Sequence, residues 1–417
     1  MGMQQNKSSL RRATLFALPA LALAALPVYA GRGLQTPPVR FTEHIIDTIP
    51  GAYHATVADI NGDGKPDIIA ISETENQIAW YENPTWEKHI ITKSLARNID
   101  VTAFDLKKTG KPCLFIASEF DMGHSKTGGR IAMLVPGADV RAQWTVREVG
   151  LDPTAHRIRW ADWDGNGHKE LVVTPIVGVG AQSPDWSEPV EIQSYRFTGF
   201  NKPDGIERIE MHPVDRSLHM SHGVCVCDFD GDHRDDLLVA SFEGITWFKP
   251  QGRGASRTWL KTHLAEGHPS DNPAGRGCSE IDRGWLKGKR PFLATIEPWH
   301  GNEVVVYLPS IKGSGSSLWS RHVIDSTIVD GHALECVDLD GDGQSEIIAG
   351  GRGGTYNLYC YRCIDHEGLK WERSIIDEGH MSSAGVVAAD IFGTGRLDLV
   401  AVARVSGQVK LYENLGK

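Results

Sequence analysis

The sequence predicts an all-β, seven-bladed propeller of four-stranded blades, and three observations predict it. First, one phrase recurs seven times: an apolar stretch, an Asp, a short Gly-rich turn and four or five apolar residues, as in VADINGDGKPDIIA, WADWDGNGHKELVV and VDLDGDGQSEIIAG. With Asp59, Asp105, Asp162, Asp228, Arg283, Asp338 and Asp390 taken as equivalent, the units stand 46, 57, 66, 55, 55 and 52 residues apart. Second, each unit continues with a third strand such as IAWYEN or VVVYLP and a fourth introduced by Trp, as in WEKHII or WSRHVI. Four such short strands cannot bury both faces of a sheet alone, whereas radial stacking about an axis gives every face a neighbour. Third, FTEHII at 41–46 is a fourth-strand phrase with no blade before it, while the last unit ends at its third strand, VKLYENL. The N-terminal strand is therefore expected to complete the last blade and close the ring.

Residues 1–30 read as a secretory leader: Lys7, Arg11 and Arg12, an apolar run from Leu15 to Val28, then Val28-Tyr29-Ala30 as a small-residue cleavage pattern. The expectation is export to the periplasm or the medium, a mature start near Gly31, one propeller domain over 31–417, and no membrane attachment after leader removal. The 417 residues are 41% apolar and 23% charged, an ordinary globular composition. A formal net charge of −10 with no basic run after the leader argues against a nucleic-acid partner. The seven cysteines lie mostly in strand-like apolar runs, and Cys360 and Cys363, three apart on a strand, should point to opposite faces. No disulfide framework is expected.

Four of the seven turns carry oxygen ligands at metal-loop spacing. They are Asp59, Asn61, Asp63 and Asp67; Asp162, Asp164, Asn166 and Glu170; Asp228, Asp230, Asp232 and Asp236; and Asp338, Asp340, Asp342 and Glu346. Alternate acidic or amide side chains, a Gly in the bend and a carboxylate four residues on are what a hard divalent cation requires, so Ca²⁺ is the expected occupant. The same side chains also serve a plain hairpin turn by accepting backbone N–H bonds, and the units at Asp105, Arg283 and Asp390 turn without the full set. Either role is structural. These phrases resemble the FG-GAP or VCBS repeats of integrin-type seven-bladed propellers over essentially the whole mature chain. That family includes adhesion modules as well as enzymes, so the fold assigns no function by itself.

Chemistry is expected on the face opposite the Asp turns. His156, His222 and His332 each stand six residues before the aligned Asp of their units, His54 stands five before, and His380 lies slightly earlier in its own approach. Equivalent positions in a ring converge on its axis. Loops between second and third strands add Glu297, Trp299, His300 and Arg352 on that face, and the insert at 175–190 is placed to wall a pocket. The fourth-strand histidines His44, His89, His263 and His322 read instead as packing or edge residues. Imidazoles beside carboxylates suit a divalent ion such as Zn²⁺, with Mg²⁺ as the alternative, and a spare imidazole is a base poised near neutral pH. Arg157 and Arg352 suit a carboxylate or enolate oxygen. No G-x-S-x-G, H-E-x-x-H or Walker phrase occurs. The pattern fits proton abstraction next to a carbonyl, with the oxyanion held by metal or Arg, followed by loss of a β-oxygen.

Three phrases carry a narrower resemblance. AHRIRWADWDGNG at 155–167, IEPWHGNEVVVY at 296–307 and GHALECVDLDGDG at 331–343 resemble the propeller part of the aldos-2-ulose dehydratase family, whose members eliminate water from anhydro-keto sugars with a divalent metal. The resemblance implies that His156, His222, His300 and His332 line a reaction centre. On this reading His156 or His300 is the base, His222 and His332 are metal ligands, and Arg157 and Arg352 contact the oxyanion. His54, Glu297, Trp299 and His380 then face a carbohydrate substrate. Members of that family carry cupin domains after the propeller, and this sequence ends at Lys417, so any second step that cupins perform is not expected of it. Two rivals stand beside this reading. One is a polysaccharide lyase of the rhamnose–glucuronate type using the same residues, and the other is a non-catalytic carbohydrate- or protein-binding propeller. Several titratable imidazoles at the axis favour an enzyme.

Overall fold

Each repeat folds into a four-stranded antiparallel sheet, and seven such sheets are arranged by the computed structural model, which describes residues 37–199, 206, 208–272, 275–310 and 317–417. The leader at 1–30 lies outside the described residues. The innermost strands are Ala52–Ala58, Asp100–Phe104, Ala155–Ala161, Val224–Cys227, Ile281–Leu286, Gly331–Val337 and Ser383–Ala389. They head blades 1 to 7. Second strands such as Asp67–Ser72, Cys113–Ser118 and Asp398–Ala403 are buried at all six positions. That is why they read as unbroken apolar runs: neighbouring blades cover both faces. Between blades 1 and 2, for example, Ile69, Ile71 and Trp80 pack against Leu114, Ile116 and Leu134, each buried aliphatic side chain contributing about 1.5–3 kcal/mol. Fourth strands alternate exposed and covered residues and form the rim; His44, His89, His263 and His322 lie there.

The ring closes as expected. Arg40–Thr48 pairs antiparallel with Gln408–Gly416, Phe41 opposite Asn414, and so supplies the outer strand of blade 7. All seven cysteines are unbridged, and Cys360 and Cys363 pack into different clusters on opposite faces of their strand. Among the described residues no helix is long and apolar enough to cross a membrane.

The Asp turns lie at the far end of the inner strands. Asp59 accepts the N–H groups of Gly62, Asp63 and Gly64 at 2.7, 3.1 and 2.9 Å, and Asp390, in a unit without the full ligand set, accepts those of Thr394 and Gly395 at 2.8 Å each. The first Asp therefore shapes the turn itself. Carboxylate oxygens gather within 4.8 Å in two of the four ligand-rich turns, from Asp228, Asp230 and Asp236 and from Asp338, Asp340 and Glu346. In the turn at 162–170 the Arg257 guanidinium bridges Asp164 (3.3 Å) and Glu170 (2.6 Å), and Lys249 pairs with Asp230 and, at 2.9 Å, with Asp232. In the turn at 59–67, Asn61 donates to Glu82 at 3.1 Å, while Asp67 accepts from Ile60 and Asn83 at 2.9 and 2.8 Å.

One alignment is corrected. Arg283 is not at a turn: it lies inside the inner strand of blade 5, opposite Leu293, and that hairpin bends at 287–289. Backbone bonds give the true register. Asp235 donates to the Asp162 carbonyl at 3.1 Å and Ser345 to that of Trp285 at 2.7 Å, so Trp285 is the equivalent of Asp162. The two-residue shift makes Glu280 the counterpart of His54, Asp100 and Arg157, each five residues before its turn.

Candidate active site

Because the inner strands start beside the axis, side chains at their first positions meet there. His156 and His332 are the second residues of the inner strands of blades 3 and 6, and His222 lies just before that of blade 4. His300 enters from the loop between the second and third strands of blade 5, in a left-handed conformation with φ 50°. Ring centroids are 4.5 Å apart for His156 and His222, 4.8 Å for His222 and His300, 5.0 Å for His222 and His332, and 5.2 Å for His300 and His332. One ring nitrogen from each of His156, His222 and His332 lies within 4.8 Å of the others.

The hydrogen bonds assign the tautomers. A guanidinium only donates, so Nδ1 of His300 accepts from Arg352 at 2.9 Å. This leaves Nε2–H of His300 to donate to Nε2 of His222 at 3.0 Å, and Nδ1–H of His222 to reach Glu280 at 2.9 Å. Glu280 also accepts from Arg157 at 2.7 Å, and the other arm of Arg157 stands 3.3 Å from Nε2 of His156. His332 donates from Nδ1 to the Ala384 carbonyl at 2.6 Å and accepts at Nε2 from the Tyr53 hydroxyl at 3.0 Å. Arg352 is held by Asp330 at 2.8 and 3.1 Å.

Burial, reinforced by the Arg157 or Arg352 guanidinium, pushes His156, His300 and His332 well below the ordinary histidine range. Burial also lowers His222, against the pull of Glu280. For Glu280 burial works upward, but Arg157 and His222 outweigh it and hold the carboxyl well below its usual range. The site thus combines four neutral imidazoles with an ionised carboxylate balanced by a buried guanidinium. A cavity of about 280 Å³ in the axial channel adjoins them, lined by His54, Arg157, Glu280 and His332 and, towards the Asp turns, by Asp282 and Glu335.

Trp299 stacks on His300 at 4.6 Å. It packs with Met220, Phe242 and, from the insert, Ile176 and Trp186, in a cluster separate from the lining of the axial cavity. Two residues expected at the site are elsewhere. Glu297 is sealed inside blade 5, where its carboxylate accepts from Thr295, Tyr307 and Arg321, each at 2.7 Å; at the end of a second strand, alternation turns it into the sheet. The side chain of His380 is 76% exposed, 4.0 Å from Asp377, with Ala384 holding the position that His332 occupies in blade 6. Residues not anticipated are Glu280, Tyr53, Asp100 and Asp330. Glu280 was hidden by the register of unit five, and reading the fifth position before each turn as well as the sixth finds both it and Asp100.

The fold and this centre define a seven-bladed propeller of FG-GAP-type repeats with a histidine-lined axis. Residues 59–116 match the FG-GAP-like repeat family, and residues 128–310 match the family described as aldos-2-ulose dehydratase, beta-propeller domain. The chain therefore resembles the propeller domain of aldos-2-ulose dehydratase: that enzyme from Phanerodontia chrysosporium is 26% identical over 308 residues, 68% of this chain and 33% of the relative. This chain thus spans about a third of that relative's length. Among solved structures, an Agrocybe aegerita lectin described as recognising non-reducing terminal N-acetylglucosamine superposes with a TM-score of 0.50 at 14% identity, covering 85% of this chain and 86% of the lectin. That likeness concerns the fold.

Proposed function

We propose that the protein is a carbon–oxygen lyase that dehydrates a keto sugar or related sugar derivative, by proton abstraction next to the carbonyl and loss of a β-hydroxyl. The convergence of His156, His222, His300 and His332 with Arg157, Arg352 and Glu280 beside the axial cavity carries this reading, and the distant relationship to a sugar dehydratase supports it. A divalent ion fits the donor set. Three imidazole nitrogens lie within 4.8 Å, Nδ1 of His156 is buried without a hydrogen-bond partner, and burial keeps the rings neutral. His156, His222 and His332 would hold it, the ion replacing the hydrogen bonds that His300 and Tyr53 donate to His222 and His332, and an all-nitrogen set favours Zn²⁺ over Mg²⁺; when bound it would supply Lewis acidity to a carbonyl oxygen. Arg157, which lines the cavity, and Arg352, which holds His300, would supply N–H groups to a developing oxyanion, and Trp299 would offer an aromatic face to a sugar ring. We extend the proposal to export, on the leader pattern, and to structural Ca²⁺ in the turns.

The test is to incubate the purified protein with an anhydro-keto sugar and with a uronate-terminated oligosaccharide and follow ultraviolet absorbance of an unsaturated product. Absorbance growth with the keto sugar, abolished in His156→Ala and His332→Ala, is expected. Glycan binding without reaction, with or without added Zn²⁺ or Mg²⁺, would overturn the proposal in favour of a binding propeller.

A further inference from the structure

We propose that His54 is the base that takes the proton, with Asp100 positioning and stabilising it; the inference rests on the lyase reading above. At the axis the other imidazoles are engaged. His222, His300 and His332 each use both ring nitrogens, and His156 faces Arg157 with one and is sealed at the other. His54 differs. Its ring lines the cavity, its side chain is 15% exposed, and among the described residues Nε2 makes no hydrogen bond.

Behind the ring stands a fixed anion. Nδ1 of His54 lies 3.0 Å from Oδ1 of Asp100, off the line of a formal hydrogen bond. Asp100 is fully buried and held by Val101 N–H at 3.0 Å, Ile158 N–H at 2.9 Å and Arg159 at 2.6 Å. Burial works to raise its carboxyl, but Arg159, His54 and Arg157 outweigh it and keep it ionised. A carboxylate at Nδ1 favours the tautomer that keeps the proton there, so the Nε2 lone pair is presented to the cavity; the imidazolium formed on proton capture then sits against that carboxylate. Burial pushes His54 down to about 4, opposed by Asp100, so the ring is neutral at neutral pH. On the other side Gly385 leaves the ring room: a Cβ there would stand 3.2 Å from Cδ2 of His54.

The step balances within the substrate. The C–H bond beside the carbonyl breaks, its proton passes to Nε2 of His54, and its electron pair forms the enolate. The enolate then expels the β-hydroxyl, which takes the proton back from His54 and leaves as water.

The experiment uses the full chain with the keto sugar. His54→Gln should lower kcat by about 10²–10⁴-fold with KM changed only a few-fold, while far-UV spectrum and Tm stay near wild type. Asp100→Asn should lower kcat by a smaller factor. His54→Ala should regain activity when imidazole is added to the buffer, a rescue that a structural role would not give. Wild-type kcat in His54→Gln, or imidazole rescue of His156→Ala but not of His54→Ala, would overturn the assignment while leaving the lyase reading standing. An inactive wild type would overturn the lyase reading, and this assignment with it.

Discussion

Nε2 of His222 accepts a hydrogen bond from His300 at 3.0 Å, and with Nδ1–H turned to Glu280 it carries the lone pair that His222 has for an ion shared with His156 and His332. One lone pair cannot serve both. Zn²⁺ titrated into His300→Ala is therefore expected to bind more tightly than to wild type by calorimetry, whereas weaker binding would mean that His300 is itself a ligand. A second residue governs pH dependence. Asp152, between blades 2 and 3, is buried with Oδ2 unpartnered, and burial, with Glu191 nearby, pushes it well above the ordinary carboxylate range. A folded-state pKa above the unfolded value near 4 means that this stabilisation is complete below the unfolded pKa and is lost as pH rises through the folded one. Asp152→Asn should flatten the fall of Tm on the alkaline side, and an unchanged slope would rule Asp152 out as the cause. At this scale the sequence was partly legible. His156, His222 and His332 share one spacing, but spacing is blind to which face a side chain takes, so sequence position alone puts Glu297 at the substrate although it is tied to Arg321 inside its blade.

The hairpin that follows each inner strand was the most legible element, because Asp and Gly recur at the bend and fully covered second strands leave unbroken apolar runs. Which turns are open to a cation was not legible. Arg257, which answers Asp164 and Glu170, lies about ninety residues away in the chain, in a neighbouring blade. The turn at Asp338, Asp340 and Glu346 gathers its oxygens, with only the Lys417 ammonium, among the described residues, 3.1 Å from Asp340, and burial with the neighbouring aspartates pushes Glu346 up to about 8. Ca²⁺ should therefore raise Tm, and Glu346→Gln should abolish most of that rise in a thermal scan with and without chelator. An equal rise in the variant would move the stabilising ion to another turn.

For the whole molecule, ring closure is what brings distant residues together. The strand Arg40–Thr48 completes blade 7 against Gln408–Gly416, and the inner strands, with loops that follow second strands, then bring residues from 53 to 352 to one centre. The closing strand was visible as an orphan phrase, and the convergence followed from rotation about an axis. The blade that lacks the Asp turn hid the shared carboxylate, Glu280. The most direct measurement is proton NMR of the keto sugar incubated in D₂O with the protein, with His156→Ala/His332→Ala and with Asp59→Asn. Loss of one water per sugar is expected with wild type and Asp59→Asn but not with the axial variant; a folded axial variant that dehydrates the sugar at the wild-type rate would contradict the account.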